Sequence, residues 1–218
     1  RQDERELLEQ YFARKFREGG GTVVPALGEV AHTLFVNMRN QIMIDQQGAK
    51  TDCVDFIRKH LADALWKDYQ QAKQSGQPFR SDLQIRYDRG TTTEAMRLYL
   101  RTVKEVYQQL RREVAAELGT ADEAALDKAF PILVTFAEPK QYKKIVVDAT
   151  EKLPLEVTLL ASGQSKTLKN FSLDELRKEM NSFRSGKSDM TISLKVEGNI
   201  PMGVVQDVKE ELRKGFKY

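Results

Sequence analysis

The chain has 218 residues, 40% hydrophobic and 31% charged, which suits one large or two small globular domains and argues against a wholly disordered protein. Its net charge of +3 comes from interleaved acids and bases, whereas nucleic-acid-binding proteins usually concentrate basic residues on one face. The single cysteine, Cys53, excludes an internal disulfide and fits either a reducing or an oxidising compartment. The chain opens with Arg1, so an upstream signal, anchor or other segment is compatible with it, and no stretch has the roughly 18 consecutive apolar residues of a membrane span.

The first predicted elements are a helix and a hairpin. Residues 1–18 place apolar side chains at helical spacing and are followed by three glycines, which predicts an amphipathic helix. We expect this helix to pack on its own domain or on a partner chain, in preference to leading in from a membrane anchor. Residues 33–45 then predict a β-hairpin with its turn at Arg39 and Asn40.

The next stretch predicts helix, loop, strand and helix. Residues 51–66 carry apolar side chains at helical spacing and predict a helix, and the polar stretch 67–80 is expected to contain a surface loop. Residues 81–88 alternate apolar and polar side chains, as a strand does. After a turn, a long helix runs to Leu118 and is stopped by Gly119. A short helix at 122–130, a strand at 131–136 and a short apolar run at 145–147 follow.

The last part of the chain predicts a second set of the same elements. Residues 155–161 form a strand, with a turn at Gly163 and Gln164 and a returning arm to about 168. A helix at 173–183 is capped by Ser172, with Glu175 completing a capping box. Residues 190–197 alternate as a half-buried strand, and after a Gly- and Pro-containing turn the period changes to that of a helix at 202–214.

This repeated order predicts an α+β protein with an internal duplication. We expect an N-terminal amphipathic helix at 1–21, a first domain at 22–140 and a second at 141–218, each with a hairpin, helix, strand and helix on a small mixed sheet. Chance similarity of two small α+β units is the alternative. The strands at 83–88 and 192–197 are expected inside their sheets, with exposed edges at 132–136, at 145–148 or in the hairpins.

Motifs that suggest chemistry are few. Residues 163–167, GQSKT, resemble the end of a phosphate-binding P-loop, but Ser165 replaces the glycine that precedes the lysine, and a hairpin arm is the better interpretation. The two histidines, His32 and His60, lack ligand partners at metal spacing and are interpreted as structural. Cys53 lacks a second cysteine and a neighbouring base, so a small buried hydrophobe is favoured over a nucleophile.

Two charged motifs also have simple structural interpretations. Asp88, Arg89, Gly90 and Thr91 fit a turn and helix cap better than an acid–base pair. The basic pairs at 111–112 and 143–144 lie among acids and predict solvated faces. The sequence therefore predicts no catalytic, cofactor-binding or metal-binding residues, and we do not expect an enzyme.

Several of these segments carry a family resemblance. Residues 191–214, TISLKVEGNIPMGVVQDVKEELRK, resemble the strand, turn and helix of the periplasmic domain of ExbD/TolR-type biopolymer transport proteins. Residues 87–92 (YDRGTT), 107–111 (YQQLR) and 137–140 (AEPK) resemble a longer-loop branch of the same family. The resemblance spans about residues 30–218, in two tandem copies.

The resemblance implies a role in a proton-motive-force-driven energising complex of the inner membrane. It implies a periplasmic domain, an ExbB/TolQ-like channel subunit and a TonB/TolA-like protein as partners, a membrane anchor upstream of Arg1, and a homo-oligomer or an intramolecular pseudo-dimer. The family's proton-linked aspartate lies in a transmembrane helix, so no residue of this sequence corresponds to it. A partner segment that adds as a strand would meet these needs without an active site. A dimerisation or peptide-binding module without a transport role is the alternative.

Overall fold

We describe the protein from a computed structural model, which covers residues 30–48, 54–137, 148–184 and 190–216. The predicted N-terminal helix, Cys53, the lysines at 143–144, the apolar run at 145–147 and the predicted boundary at 140/141 lie outside these ranges. The described residues form an α+β protein that divides into two compact units. The first contains 30–48, 54–87 and 95–137, and the second contains 88–94, 148–184 and 190–216.

The first unit is built on a five-stranded mixed sheet in the order β3-β2-β1-β4-β5, in which β1, β4 and β5 are parallel and β2 and β3 are antiparallel to their neighbours. Its elements are β1 (His32–Val36), β2 (Ile42–Ile44), β3 (Gln47–Gly48), α1 (Val54–Ser75), β4 (Leu83–Tyr87), α2 (Thr93–Leu118, whose first two residues belong to the second unit), α3 (Glu123–Ala129) and β5 (Val134–Ala137). The predicted hairpin is confirmed as β1 and β2, and β4 lies inside the sheet as predicted.

One face of this sheet carries the core. Leu34 and Ile85 are buried, whereas Phe35 and Arg86, their neighbours along the strands, are half-buried and exposed. The crossovers β1-α1-β4 and β4-α2-β5 step across the sheet in the same direction. Because such crossovers are right-handed, they place α1 and α2 on the same face. The first unit is therefore a helix layer on one face of a sheet.

Helix α1 is longer than the sequence suggested. It continues to Ser75, so the predicted end at residue 66 is wrong, and the loop predicted within 67–80 begins only at Gly76. Tyr69 lies one turn beyond Leu65 and is buried with it, and Lys73 makes an ion pair with Glu117 of α2 at 2.8 Å. Gly76 then takes a positive φ of 66°, where glycine is favoured, and ends the helix. Burial of Tyr69 and the ion pair of Lys73 thus support helical structure in a polar segment.

The second unit has a three-stranded antiparallel sheet in the order β7-β6-β8. Its elements are β6 (Leu155–Ala161), β7 (Gln164–Lys169), α4 (Leu173–Arg184), β8 (Met190–Val196) and α5 (Met202–Phe216). The capping box is confirmed, since the main-chain N–H of Glu175 donates to Ser172 Oγ at 3.2 Å and that of Ser172 donates to Glu175 Oε2 at 3.3 Å. The β6–β7 turn is made by Ser162 and Gly163, both at positive φ, one residue earlier than predicted.

The core of this unit is formed by β6, the segment before α4, and one face each of α4 and α5. It contains Leu153, Leu155, Val157, Leu159, Phe171, Leu173, Leu176, Met180, Val204, Val208 and Leu212. The predicted change of period at the end of the chain is confirmed, because β8 is followed by α5 with Val204, Val208 and Leu212 buried on one face. No helix in the described ranges combines the length and apolarity that a membrane crossing needs.

Two expectations about topology are wrong. Strand β8 was expected inside its sheet, but among the described strands it pairs only with β6 and lies at the edge. The two halves share the order hairpin, helix, strand, helix, yet β4 runs parallel to β1 whereas β8 runs antiparallel to β6. The two halves are therefore not equivalent strand for strand. A mixed sheet was predicted for each half, but only the first sheet is mixed. Alternation of apolar residues reports which side chains are buried and carries no information on strand direction.

Candidate functional site

Strand β8 forms an edge of its sheet, and some of its main-chain N–H and C=O groups point outward from that edge. The N–H of Glu197 donates to Pro154 O at 2.9 Å, and the register places Leu194 opposite Val157. In an antiparallel ladder, residues that bond to the neighbouring strand alternate with residues that do not. Because Glu197 bonds to β6, residues at an odd spacing from it do not, and the N–H and C=O groups of Ile192 and Leu194 point away from β6. These groups form the candidate site, which we call the β8 edge.

The side chains along the β8 edge differ between its two faces. Ile192, Leu194 and Val196 face the core of the second unit and are only half-buried. Thr191 and Ser193 face the opposite side and are exposed. Core-facing apolar side chains at a sheet edge remain partly in contact with water because they have a neighbouring strand on one side only. A further strand laid along β8 would cover them and pair the outward main-chain groups.

A second edge occurs in the first unit at β5. The N–H of Leu83 donates to Leu133 O at 2.9 Å, so in this parallel ladder Val134 and Phe136 direct their main-chain groups away from β4. Phe136 leaves 37% of its surface exposed. Residues 132–136 were among the predicted sheet edges, and among the described strands β5 does lie at an edge. With four residues, β5 offers a shorter edge than the seven residues of β8.

A polar cluster lies elsewhere in the first unit, around His32. Its Nδ1 is 2.6 Å from Asp45 Oδ2 and its Nε2 is 2.6 Å from Asp68 Oδ2. Asp68 Oδ2 also accepts the hydroxyl of Ser81 at 2.7 Å, and Asp45 Oδ1 accepts the main-chain N–H of Thr33 at 2.8 Å. The His32 side chain is 12% exposed. Its half-buried position fits the structural interpretation, but the two carboxylates were not foreseen.

These carboxylates change the acidity of the ring. Partial burial lowers the pKa of His32, but hydrogen bonds and charges from Asp45 and Asp68 together outweigh that effect, and the pKa is raised above its ordinary value of 6.5. Within the part of the chain that the structure describes, no group of three or more His, Cys, Asp or Glu side chains could hold a metal ion. The second histidine, His60, instead lies against the ring of Phe56, with ring centroids 4.1 Å apart.

The segment 88–94 of the second unit holds the start of α5. Arg89 donates to both carboxylate oxygens of Asp207, at 2.9 and 2.7 Å, and to Gln206 Oε1 at 3.0 Å. The N–H groups of Met202 and Gly203 donate to the carbonyl oxygens of Thr91 and Arg89 at 2.7 and 2.8 Å. These are N–H groups of the first helical turn, which have no acceptor within the helix. The segment therefore acts as the cap of α5.

The other motifs fall as follows. The predicted turn at 88–91 is confirmed, with Thr91 N–H donating to Asp88 O at 3.1 Å. Residues 163–167 belong to the β6–β7 turn and to β7, and no helix begins there, so the P-loop alternative is wrong. Arg112 is exposed as predicted. Arg111 is buried, which contradicts the prediction of a solvated face, because α3 brings Glu123 and Asp127 to its guanidinium.

The residues that sequence reasoning missed have partners far along the chain. His32 is 13 and 36 residues from its two carboxylates, and Arg89 is 118 residues from Asp207. No local spacing signals such pairs. Comparison with known proteins adds no assignment, since no family model, curated protein or solved structure matches the chain.

Proposed function

We propose that this protein acts by protein–protein interaction, as the periplasmic part of a proton-motive-force energising complex of the ExbD/TolR type, and that a partner segment adds as a strand along the β8 edge. The outward main-chain groups of Ile192 and Leu194 carry the binding part of this proposal. The transport context rests on the resemblance of residues 191–214. Support for it is that this segment folds as a strand, a turn and a helix.

The β8 edge defines the chemistry of the partner. An added strand would pair its main chain with Ile192 and Leu194, which gives affinity with little dependence on sequence. Specificity would come from alternate side chains. Apolar ones would cover the half-buried row of Ile192, Leu194 and Val196, and polar ones would lie beside Thr191 and Ser193. The expected partner is thus an extended segment with alternating apolar and polar residues, and by resemblance it belongs to a TonB/TolA-like protein.

A matched pair of substitutions tests the binding mode. Leu194→Pro and Leu194→Ala both remove the leucine side chain, but only proline removes the outward N–H, and the bonds to β6 do not use that N–H. One main-chain hydrogen bond contributes about 0.5 to 1.5 kcal/mol, so we expect the proline variant to bind about twofold to tenfold more weakly than the alanine variant. Affinity is measured by isothermal calorimetry with the soluble domain of a TonB/TolA-like protein from the same organism.

The β5 edge supplies the control. Phe136→Pro and Phe136→Ala differ in the same way at Phe136, whose N–H also points outward, and the proposal expects them to bind the partner equally. A proline effect at Phe136 with none at Leu194 would move the binding strand from β8 to β5. Equal binding by both members of each pair would remove strand addition as the mode of interaction.

The transport context is tested separately. The full-length gene product is co-expressed with an ExbB/TolQ-like channel subunit from the same organism, and membranes are solubilised and purified through that subunit. Co-purification, with a protease-accessible C-terminal part on the periplasmic side, is the expected result. A gene product that carries neither a membrane helix nor an export signal would reject the periplasmic role and leave the generic peptide-binding module as the function.

A further inference from the structure

The geometry around His32 favours a charged imidazole ring. Each ring nitrogen lies 2.6 Å from a carboxylate oxygen, one of Asp45 and one of Asp68. A carboxylate can only accept, and a neutral imidazole has one N–H, so it can satisfy only one of the two. The other nitrogen would then face a carboxylate with its lone pair. While both carboxyl groups are ionised, the two contacts are favourable together only when the ring carries a proton on each nitrogen.

We propose that His32 is a proton-sensitive latch, which in its charged form ties the β2–β3 turn to α1 and on losing a proton releases that turn. The turn is held through Asp45 and the helix through Asp68, which lies in α1. This device is independent of the proposed function, since neither residue belongs to the β8 edge or to β5. Its ligand is the proton itself.

The turn that the latch holds is weak without it. Strand β3 has only two residues, Gln47 and Gly48, and both are exposed. The two turn residues, Asp45 and Gln46, have φ values of 48° and 68°, a left-handed conformation that is costly for residues other than glycine, asparagine and aspartate. The cost therefore falls on Gln46, and bonds from the His32 ring and from Thr33 N–H to the neighbouring Asp45 help to hold the turn. Loss of the ring bond therefore acts on the part of the sheet with the least support.

The charged surroundings of the ring set the direction of the response. Asp45 faces it from the turn and Asp68 from α1, and Ser81, ahead of β4, donates to Asp68. The main-chain N–H of His32 donates to the carbonyl oxygen of Asp82. The pKa of the Asp82 side chain is raised, because the effect of burial exceeds that of the charge of Arg80, which lowers it. His32 is paired with both Asp45 and Asp68, and in its charged form it is a cationic partner that the two carboxylates share.

The pH window follows from the sign of the shift. The pKa of His32 is higher in the folded protein than its ordinary value of 6.5. Protonation therefore favours the latched form. The contribution of the charged ring to the stability of the latched turn is fully present below pH 6.5 and is lost as the pH rises through the folded pKa. The ratio of latched to released turn is larger for the charged ring than for the neutral ring. It is larger by a factor of ten for each whole pH unit by which the folded pKa exceeds 6.5.

The test uses nuclear magnetic resonance on the full chain with His60→Gln, which leaves His32 as the only histidine. The ¹⁵N shifts of the ring report its protonation, and the amide signals of Thr33 and Gln46 report the turn. We expect both ring nitrogens to be protonated on the acid side of the titration, a ring pKa above 6.5, and amide shifts in the turn that follow the same midpoint. Hydrogen exchange at Thr33, corrected for its intrinsic pH dependence, should rise above that midpoint by the factor derived from the measured pKa.

A second variant separates the latch from a general effect of pH. His32→Gln cannot gain a proton, so the pH step at Thr33 and Gln46 should disappear, whereas it should persist when only His60 is replaced. The proposal is overturned if His32 titrates at or below pH 6.5. It is also overturned if the turn signals do not follow the ring, or if the step survives in His32→Gln. The first two outcomes are read from the protein with its native His32 and need no fold-sensitive variant at that position.

Discussion

Removing Asp127 should destabilise the first unit much more than removing its neighbour Glu123. Both carboxylates accept from the guanidinium of Arg111, which is 6% exposed, Asp127 at 2.7 Å and Glu123 at 3.1 Å. The Asp127 side chain is 18% exposed and the Glu123 side chain 69%. Asp127→Ala thus removes a desolvated partner from a buried cation, whereas Glu123→Ala removes a mostly hydrated one.

The magnitudes follow from burial. Breaking a buried ion pair by removing one partner costs about 3 to 5 kcal/mol, and a hydrogen bond to a charged group contributes about 1.5 to 3. Because Arg111 keeps Glu123 and the carbonyl oxygen of Phe130, we expect about 2 kcal/mol for Asp127→Ala. Exposed pairs contribute about 0.2 to 1 kcal/mol, which sets the expectation for Glu123→Ala.

The assay is urea unfolding followed by tryptophan fluorescence. Trp66 is the only tryptophan and lies in α1 of the first unit, with its ring 5.1 Å from that of Tyr69, so it reports on this unit. With a slope of about 2 kcal/mol per molar urea, Asp127→Ala should lower the midpoint by about 1 M, and Glu123→Ala by at most about half of that. Equal shifts for the two variants would show that burial of Arg111 does not decide the energetics.

Three further outcomes are expected. Gly203→Ala would place a Cβ 2.9 Å from Cβ of Arg89, so it should destabilise the second unit by about 1 to 3 kcal/mol despite alanine's higher helix propensity, as measured by thermal unfolding with circular dichroism; a stabilised variant would contradict the packing. Ser172→Ala should cost about 1 kcal/mol in the same measurement through loss of the capping box, and an unchanged melting temperature would show that the cap contributes nothing. The urea midpoint reported by Trp66 should fall as the pH rises from 6.5 through the folded pKa of His32, and this fall should be absent in His32→Gln.

Local patterns in the sequence predicted most individual elements. The alternation in 190–197 and the helical spacing after it correspond to β8 and α5, and Ser172 with Glu175 marked the start of α4. These features depend on residues that are close together in the sequence, so the residues that form a cap or an apolar face can be recognised from local spacing. The long α1 is the exception, because burial of Tyr69 and pairing with Glu117 of α2 support helix in a segment of polar composition.

What local patterns did not predict is set by distant parts of the chain. Strand direction and the edge position of β8 depend on which strand it meets, and alternation is the same in either case. Arg111 was interpreted as solvated because it stands beside Arg112 among acids, yet its guanidinium is buried and donates to Asp127 of α3. The outward groups of Ile192 and Leu194 and the pairing of His32 with two carboxylates likewise became visible only from the register and from the three-dimensional contacts.

The cap of α5 has a consequence for how the second unit can be made and exchanged. On the ribosome, Arg89 is synthesised 118 residues before Asp207, so the helix that needs this cap emerges long after it. A fragment that begins at residue 141 would lack Arg89 and Thr91, and the N–H groups of Met202 and Gly203 would lose their acceptors. Recombination at that point would have the same effect. An intact second unit therefore requires the seven residues 88–94, which stand between β4 and the body of α2.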